Sequence, residues 1–524
     1  MNKILFSLIT LLTSNALMAQ QMAEAPHLVV SIAIDQLRGD YLQYFNATFG
    51  EKGFKRLMNE GLCYKQVEFG FPNINESSAL ATIYTGTYPF YHGIGSETRY
   101  EVDQQREVSI VADKNYMGNY TSDKFSPLVL LCSTLGDELK IATDGQSNVF
   151  AVAPNADEAI LSAGRYANAA FWLDNYNGKW ATTTYYKDIP WFVDRFNNYE
   201  AIGNFSDKSW SQMYSSYRGF PYYKNVNAIN YKFSKSDLEY FVKIKQTPII
   251  NEQITSLASR FIESGTLGAH TLPDLLMLTY YAGDYKMGKA HSDYGYEVQD
   301  IYARLDRELE HLFEAIDRKV GLKNTIIVVT STGYYEYSPQ TSDTYKPFGE
   351  FYFNRCTALL NMFLMATYGQ ANWVAGSANN QIYLNRKLIE EKQVNYSEML
   401  AKAADFVAQF SGVQDVTTLG DWMVDHSGNS AFFRRGMNKK YSGDLFIELQ
   451  PGWKVVKENT NSRTIYEKNT AIVAPLFFLG ENIKKGQVTR KVKATEIAPT
   501  MSYILRIRPP NGTQETPLQE FIIP

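Results

Sequence analysis

The chain has 524 residues, 45% hydrophobic and 20% charged, with a formal net charge of -4. That length supplies one large core or two to three domains, and the weak charge excludes a global pull toward nucleic acid or anionic membranes. Cys63, Cys132 and Cys356 are the only cysteines. They exclude a disulfide framework and a cysteine zinc site; one bridge is possible, and buried free thiols are expected.

The start, MNKILFSLITLLTSNALMAQQ, places Lys3 before an apolar run and small residues up to Ala19. This pattern predicts a signal peptide over 1–19 and an exported protein of the periplasm or cell envelope. No later stretch is long and apolar enough to cross a membrane. An apolar strand follows from Leu28 to Ile34 and stops at Asp35, and GFKRLMNEGL reads as a helix. SPLVLLCSTLGDELKIA reads as an amphipathic helix and SNVFAVA as a core strand. Between about Gly164 and Tyr240 the helical period dissolves into Tyr-, Trp- and Asn-rich text, read as a cap. Its aromatic cluster either lines a glycan or peptide groove or forms the cap's own core.

Order returns with a helix in NEQITSLASRFIES and a strand in DLLMLTYYAGD that leads to Asp284. A long charged helix then feeds TIIVVTSTGYYEYS, and its acid–base alternation reads as a solvated face. Ile326 to Thr330 are all β-branched, the mark of a buried parallel strand. A second strand-and-helix insertion, two further strands and the helix of TEIAPTMSYIL complete the chain. Alternating strands and helices predict an α/β fold with a central, mostly parallel sheet and inserted caps. The expected division is core at 24–163, 261–369 and 441–524, with insertions at 164–260 and 370–440.

VVSIAIDQLRGDYL, GFKRLMNEGL, YTGTYPFYHGI, EVQDIYARLDREL and ATEIAPT, in this order, resemble the alkaline phosphatase superfamily. The likeness is to its Thr-nucleophile alkaline phosphatases and nucleotide pyrophosphatase/phosphodiesterases, and it runs along nearly the whole chain after the leader. It implies an alkaline phosphatase-like sandwich whose members use two zinc ions, held by three Asp and three His, and a Thr nucleophile. Such ions stabilise the attacking and leaving oxygens of an in-line phosphoryl transfer.

Carried over position by position, the resemblance keeps Asp35 and Asp284 as metal carboxylates and loses the rest. The nucleophile falls on Glu76 or Asn75. The metal histidines fall on Gly288 or Lys289, on Gly333 (Thr332 taking the preceding Asp), and on Val473. The phosphate-binding Asn falls near Glu97, and the Lys-x-Arg pair on Asn155 and Asp157. An anionic substrate would meet carboxylates there. His92 reads as a turn-packing residue and His291 as a loop residue.

The function expected from these substitutions is an exported pseudoenzyme, a binding or scaffold protein for an unidentified envelope partner or ligand. The alternative is an active phosphomonoesterase or phosphodiesterase with a rearranged metal site. No cofactor is expected, zinc least of all. If any ion binds, it is a hard cation, Ca²⁺ or Mg²⁺, at Asp35, Glu76 and Asp284, which otherwise pair with Lys286, Lys289 or Arg99.

Overall fold

The computed structural model describes residues 25–522, apart from 187–188, 206, 216, 218–227, 286–295, 337–348, 425–427, 460–461 and 467–468. The leader, Lys286, Gly288, Lys289 and His291 lie outside the described residues. The elements that position the site are β1 (Leu28–Asp35), β2 (Leu62–Glu68), α1 (Glu76–Thr85), β3 (Val149–Ala153), α2 (Ala156–Ala163), β4 (Ala169–Leu173) and β5 (Trp180–Thr183). They continue with α3 (Tyr240–Lys245), β6 (Asp274–Tyr281), β7 (Thr325–Ser331), β8 (Ala474–Leu479) and β9 (Gly486–Lys493).

All eight residues of β1 and all seven of β7 are buried, as continuous apolar strands must be when helices cover both faces of a sheet. The central sheet runs β9-β2-β8-β7-β1-β6-β3-β4-β5 and ends on the short strand Gly118–Asn119. β7, β1, β6, β3 and β4 are mutually parallel, while β8 and β5 run against their neighbours. Asp35 pairs with Tyr281, and Ile34 with Ser331. Three strand ends therefore open at one carboxyl edge, where open α/β sheets hold their ligands.

Three local expectations change. The helix expected across SPLVLLCSTLGDELKIA is only Leu135–Ala142, because Thr134 and Asp137 form a capping box that starts it late. The interval read as a cap begins inside the central sheet, as β4 and β5, before it leaves the core. The long helix Glu297–Lys319 is not simply solvated on its charged face: Asp300 and Asp306 are buried. Asp306 accepts the Gly50 and Phe54 amides at 2.7 Å each, and Asp300 accepts the Trp210 indole N–H at 2.6 Å. Charge alternation alone hides such buried acceptors.

A separate four-stranded sheet, Val374–Ala378, Gln381–Leu384, Leu445–Leu449 and Val413–Thr418 in spatial order, reaches past residue 440, the expected end of the second insertion. Its own core includes Cys356, Leu360 and Trp373. All three cysteines are free and buried.

Candidate functional site

At the tip of β1 the chain turns through Gln36 at φ +60°. This left-handed turn aims three groups of Gln36 at its neighbours. Its amide N–H donates to Thr332 Oγ1 at 2.9 Å, its Nε2 donates to Asp35 at 3.1 Å, and its Oε1 accepts the Glu336 amide at 3.1 Å. The Thr332 hydroxyl donates to Asp35 at 2.9 Å. Asp35 is thus buried and held by two donors. Burial raises its pKa to about 6, hydrogen bonds from Thr332, Gln36 and Tyr334 oppose the shift, and the charge of Glu336 adds to it.

Gly333 follows at φ +76°, and a Cβ built there would stand 2.1 Å from the Phe69 ring. Only glycine fits this left-handed position, and the space a histidine would need is occupied. Val473 is exposed in the link before β8. Asp284 lies just past β6, where its carbonyl accepts the Tyr281 hydroxyl at 2.7 Å and its carboxylate takes a hydrogen bond from Tyr335.

Across the cleft, Asn75 is the N-cap of α1. Its side chain accepts the Ser78 amide at 3.0 Å, and Ser78 Oγ accepts the Asn75 amide at 3.1 Å. Asn75 is consumed by that capping box, and Glu76 follows it, half-buried, in the first turn of α1. The Tyr334 hydroxyl donates to it at 3.5 Å, a long contact. Glu76 is held well above the usual carboxylate range, by burial first and then by Glu97, Glu158, Asp157 and Asp35.

Asp157, in the first turn of α2, accepts the Ser77 hydroxyl. Asn155 donates to Glu158 at 2.6 Å and accepts the Lys245 ammonium at 3.1 Å. Glu97 stands exposed at the rim, yet its pKa is raised, by desolvation and then by Asp157, Glu336 and Asp35.

The structure therefore brings Asp35, Glu76, Glu97 and Asp157 into one electrostatic cluster. It adds four residues that the sequence reading left unassigned: Glu158, Glu336, Lys245 and Tyr334. Glu158 is buried, and its pKa rises well above normal through burial and then through Asp157 and Asp35. Lys245 is buried at the end of α3, and its pKa falls to about 8 by desolvation, which Glu158 and Asp157 oppose. Glu158 adjoins Asp157 and Glu336 sits in the strand-tip stretch, so proximity was a usable signal for both. Lys245 in YFVKIK carries no local mark of a buried cation.

Two expectations about partners fail. Arg99 turns away, donating to the carbonyls of Ile110 at 2.5 Å and Ala112 at 2.9 Å. Asp35, Glu76 and Asp284 do not form a chelating group; among the described residues no three His, Cys, Asp or Glu do. His92 is the turn residue expected. It is fully buried, its Nδ1 accepts the Ile94 amide at 3.1 Å, and burial pushes its pKa down to about 3.

This sheet, its helices and its strand-tip site define an alkaline phosphatase-like α/β protein. The family model for type I phosphodiesterase / nucleotide pyrophosphatase matches residues 29–472, and the chain belongs to that family. A Myroides odoratus protein named calcium-transporting ATPase is 31% identical, over 97% of each chain. Alkaline phosphatase PafA of Elizabethkingia meningoseptica is 27% identical over 95% of this chain and 94% of its own. The crystal structure of PafA superposes with a TM-score of 0.79 at 26% identity, covering 95% of this chain and 99% of that one. A second PafA structure carries replacements of a Thr, an Asn, a Lys and an Arg.

These relatives correct the expectation that no cofactor is needed, with at most Ca²⁺ or Mg²⁺ present. PafA is an alkaline phosphatase by name, and the superfamily resemblance implies a metal pair in such enzymes. The described residues at the corresponding positions do not fit that pair as the resemblance gives it. Gly333 has no donor and no room for one, Val473 is apolar and exposed, and the Thr332 hydroxyl is committed to Asp35. No chemical step is therefore routed through a metal here.

Proposed function

We propose that this chain is a non-hydrolytic member of its family, exported to the periplasm or cell envelope, where it acts by binding. The observation that carries this reading is the carboxylate of Glu76 at the start of α1, with Glu97 beyond it. The Thr and Asn replaced in the PafA variant are 21 residues apart, the separation of Glu76 and Glu97. The replaced Lys and Arg are two residues apart, as are Asn155 and Asp157. On this register a hydroxyl nucleophile, an amide donor and two cations correspond to two glutamates, an amide and an aspartate. Carboxyl groups there supply neither the hydroxyl nucleophile nor the positive charge, and each one that ionises repels phosphoryl oxygens.

Export is supported by the leader-like first 19 residues. The test is turnover of an aryl phosphate and an aryl phosphodiester by the purified protein, as isolated and after incubation with divalent metals. Rates at the buffer background are expected in both. The names of the relatives favour a second reading, a phosphomonoesterase or phosphodiesterase on a rearranged site, and metal-stimulated turnover lost in Asp35→Asn would establish it.

A further inference from the structure

The cleft holds more acceptors than donors. Beyond burial, Asp35 and Asp157 raise the pKa of Glu76, Glu97 and Glu158, Glu336 adds to the shifts of Asp35 and Glu97, and Lys245 is the cation among the described residues that acts on Asp157 and Glu158. Asp157 is satisfied by Ser77, and one oxygen of Glu158 by Asn155. The other oxygen, Glu158 Oε2, is buried with no hydrogen-bond partner, on a residue only 2% exposed. The Glu97 carboxylate at the rim has no hydrogen-bond partner among the described residues, and Glu76 has only the long contact from Tyr334. The raised pKa values mark carboxyls that ionise once a cation arrives, and an ionised carboxylate only accepts, so this cleft suits a dense source of N–H donors bearing positive charge. Its inner wall is aromatic: Tyr334 touches Glu76, and Tyr281 and Phe69 are buried beside the strand tips. Aromatic rings beside carboxylates suit an organic cation, because the rings attract the charge and pack the apolar stem that carries it.

We infer that the cleft between Glu76, Glu97, Glu158 and Tyr334 binds a primary ammonium or guanidinium group carried on an aliphatic stem. The inference rests on the non-hydrolytic reading, since the same groups that repel phosphate hold the cation. Its ligand is either a free polyamine or a Lys or Arg side chain of a partner protein. The experiment is isothermal calorimetry on the protein as isolated, with spermidine, Nα-acetyl-lysine amide and Nα-acetyl-arginine amide. Tetramethylammonium chloride and sodium chloride at equal ionic strength are the controls.

Saturable binding of at least one amine, with tetramethylammonium at least tenfold weaker, is expected. Glu97→Gln, a rim change that the fold tolerates, should weaken the amine several-fold, and Glu158→Gln should weaken it further. Tighter binding of spermidine points to a free polyamine; tighter binding of either amino-acid amide points to a partner's side chain. No saturable binding, equal binding of tetramethylammonium, or an unchanged affinity in both variants overturns the inference. Phosphate-ester turnover measured on the same sample separates the two failures. Turnover with amine binding breaks the non-hydrolytic reading alone, and neither turnover nor binding breaks this inference alone.

Discussion

The two walls of the cleft have been rebuilt in opposite ways. At the strand tips, Asp35, Thr332, Gln36 and Glu336 are joined by hydrogen bonds of 2.9–3.1 Å, and Phe69 fills the space beside Gly333. That wall is finished core. On the other wall, at the starts of α1 and α2 and at Glu97, burial and the neighbouring Asp157 and Asp35 raise the pKa of Glu76, Glu97 and Glu158, and Glu158 Oε2 has no partner. A wall with no remaining function would be expected to close like the first, because buried unpaired acceptors cost stability. The proposed binding function rests on this contrast.

The largest test of this contrast is Lys245→Met. It leaves Glu158 and Asp157 without their buried cation and should cost roughly 3–5 kcal/mol. Adding Glu158→Gln should recover much of that loss. Equal stabilities of single and double variants, by denaturant melts, would show that Lys245 does not serve the acidic wall.

On the strand-tip wall, Gly333→Ala forces a side chain into the left-handed region and against Phe69, at about 2–3 kcal/mol. Combination with Phe69→Ala should relieve the contact but not the backbone cost, and a neutral Gly333→Ala would break the claim of a filled wall. Thr332→Val removes the hydroxyl that serves both Asp35 and the Gln36 amide, and about 1–2 kcal/mol should be lost.

The smallest effect has the opposite sign. A carboxyl whose folded pKa is raised stabilises the fold when protonated, and that contribution is lost as pH rises through the folded value. Glu76→Gln should therefore melt higher than the parent at pH 8, by about 1 kcal/mol in a cleft partly open to water. The gap should close as pH falls below 4.5, the ordinary value for Glu. A gap that widens in acid would reverse the assigned direction of the shift.

How much of this was legible in the sequence follows from where each interaction is encoded. The parallel core was legible because β1 and β7 write their burial as unbroken apolar runs. Asp35 was legible as the residue that ends such a run. The choice between Asn75 and Glu76 was not, because it depends on whether Asn75 spends its side chain on Ser78. The closure at Gly333 depends on Phe69, which is remote in sequence and brought in by the fold. Lys245 enters from the first insertion, where the text has no period from which to place it. The buried Asp300 and Asp306 look, in sequence, like any other acids on a charged helix.

On the proposed reading, the groups that would hold phosphate have given way to carboxyls that do not. Calorimetric titration of the purified protein with inorganic phosphate at neutral pH, before and after incubation with divalent metals, tests it most directly. No saturable binding is expected in either state, and saturable binding in the micromolar range would overturn that reading.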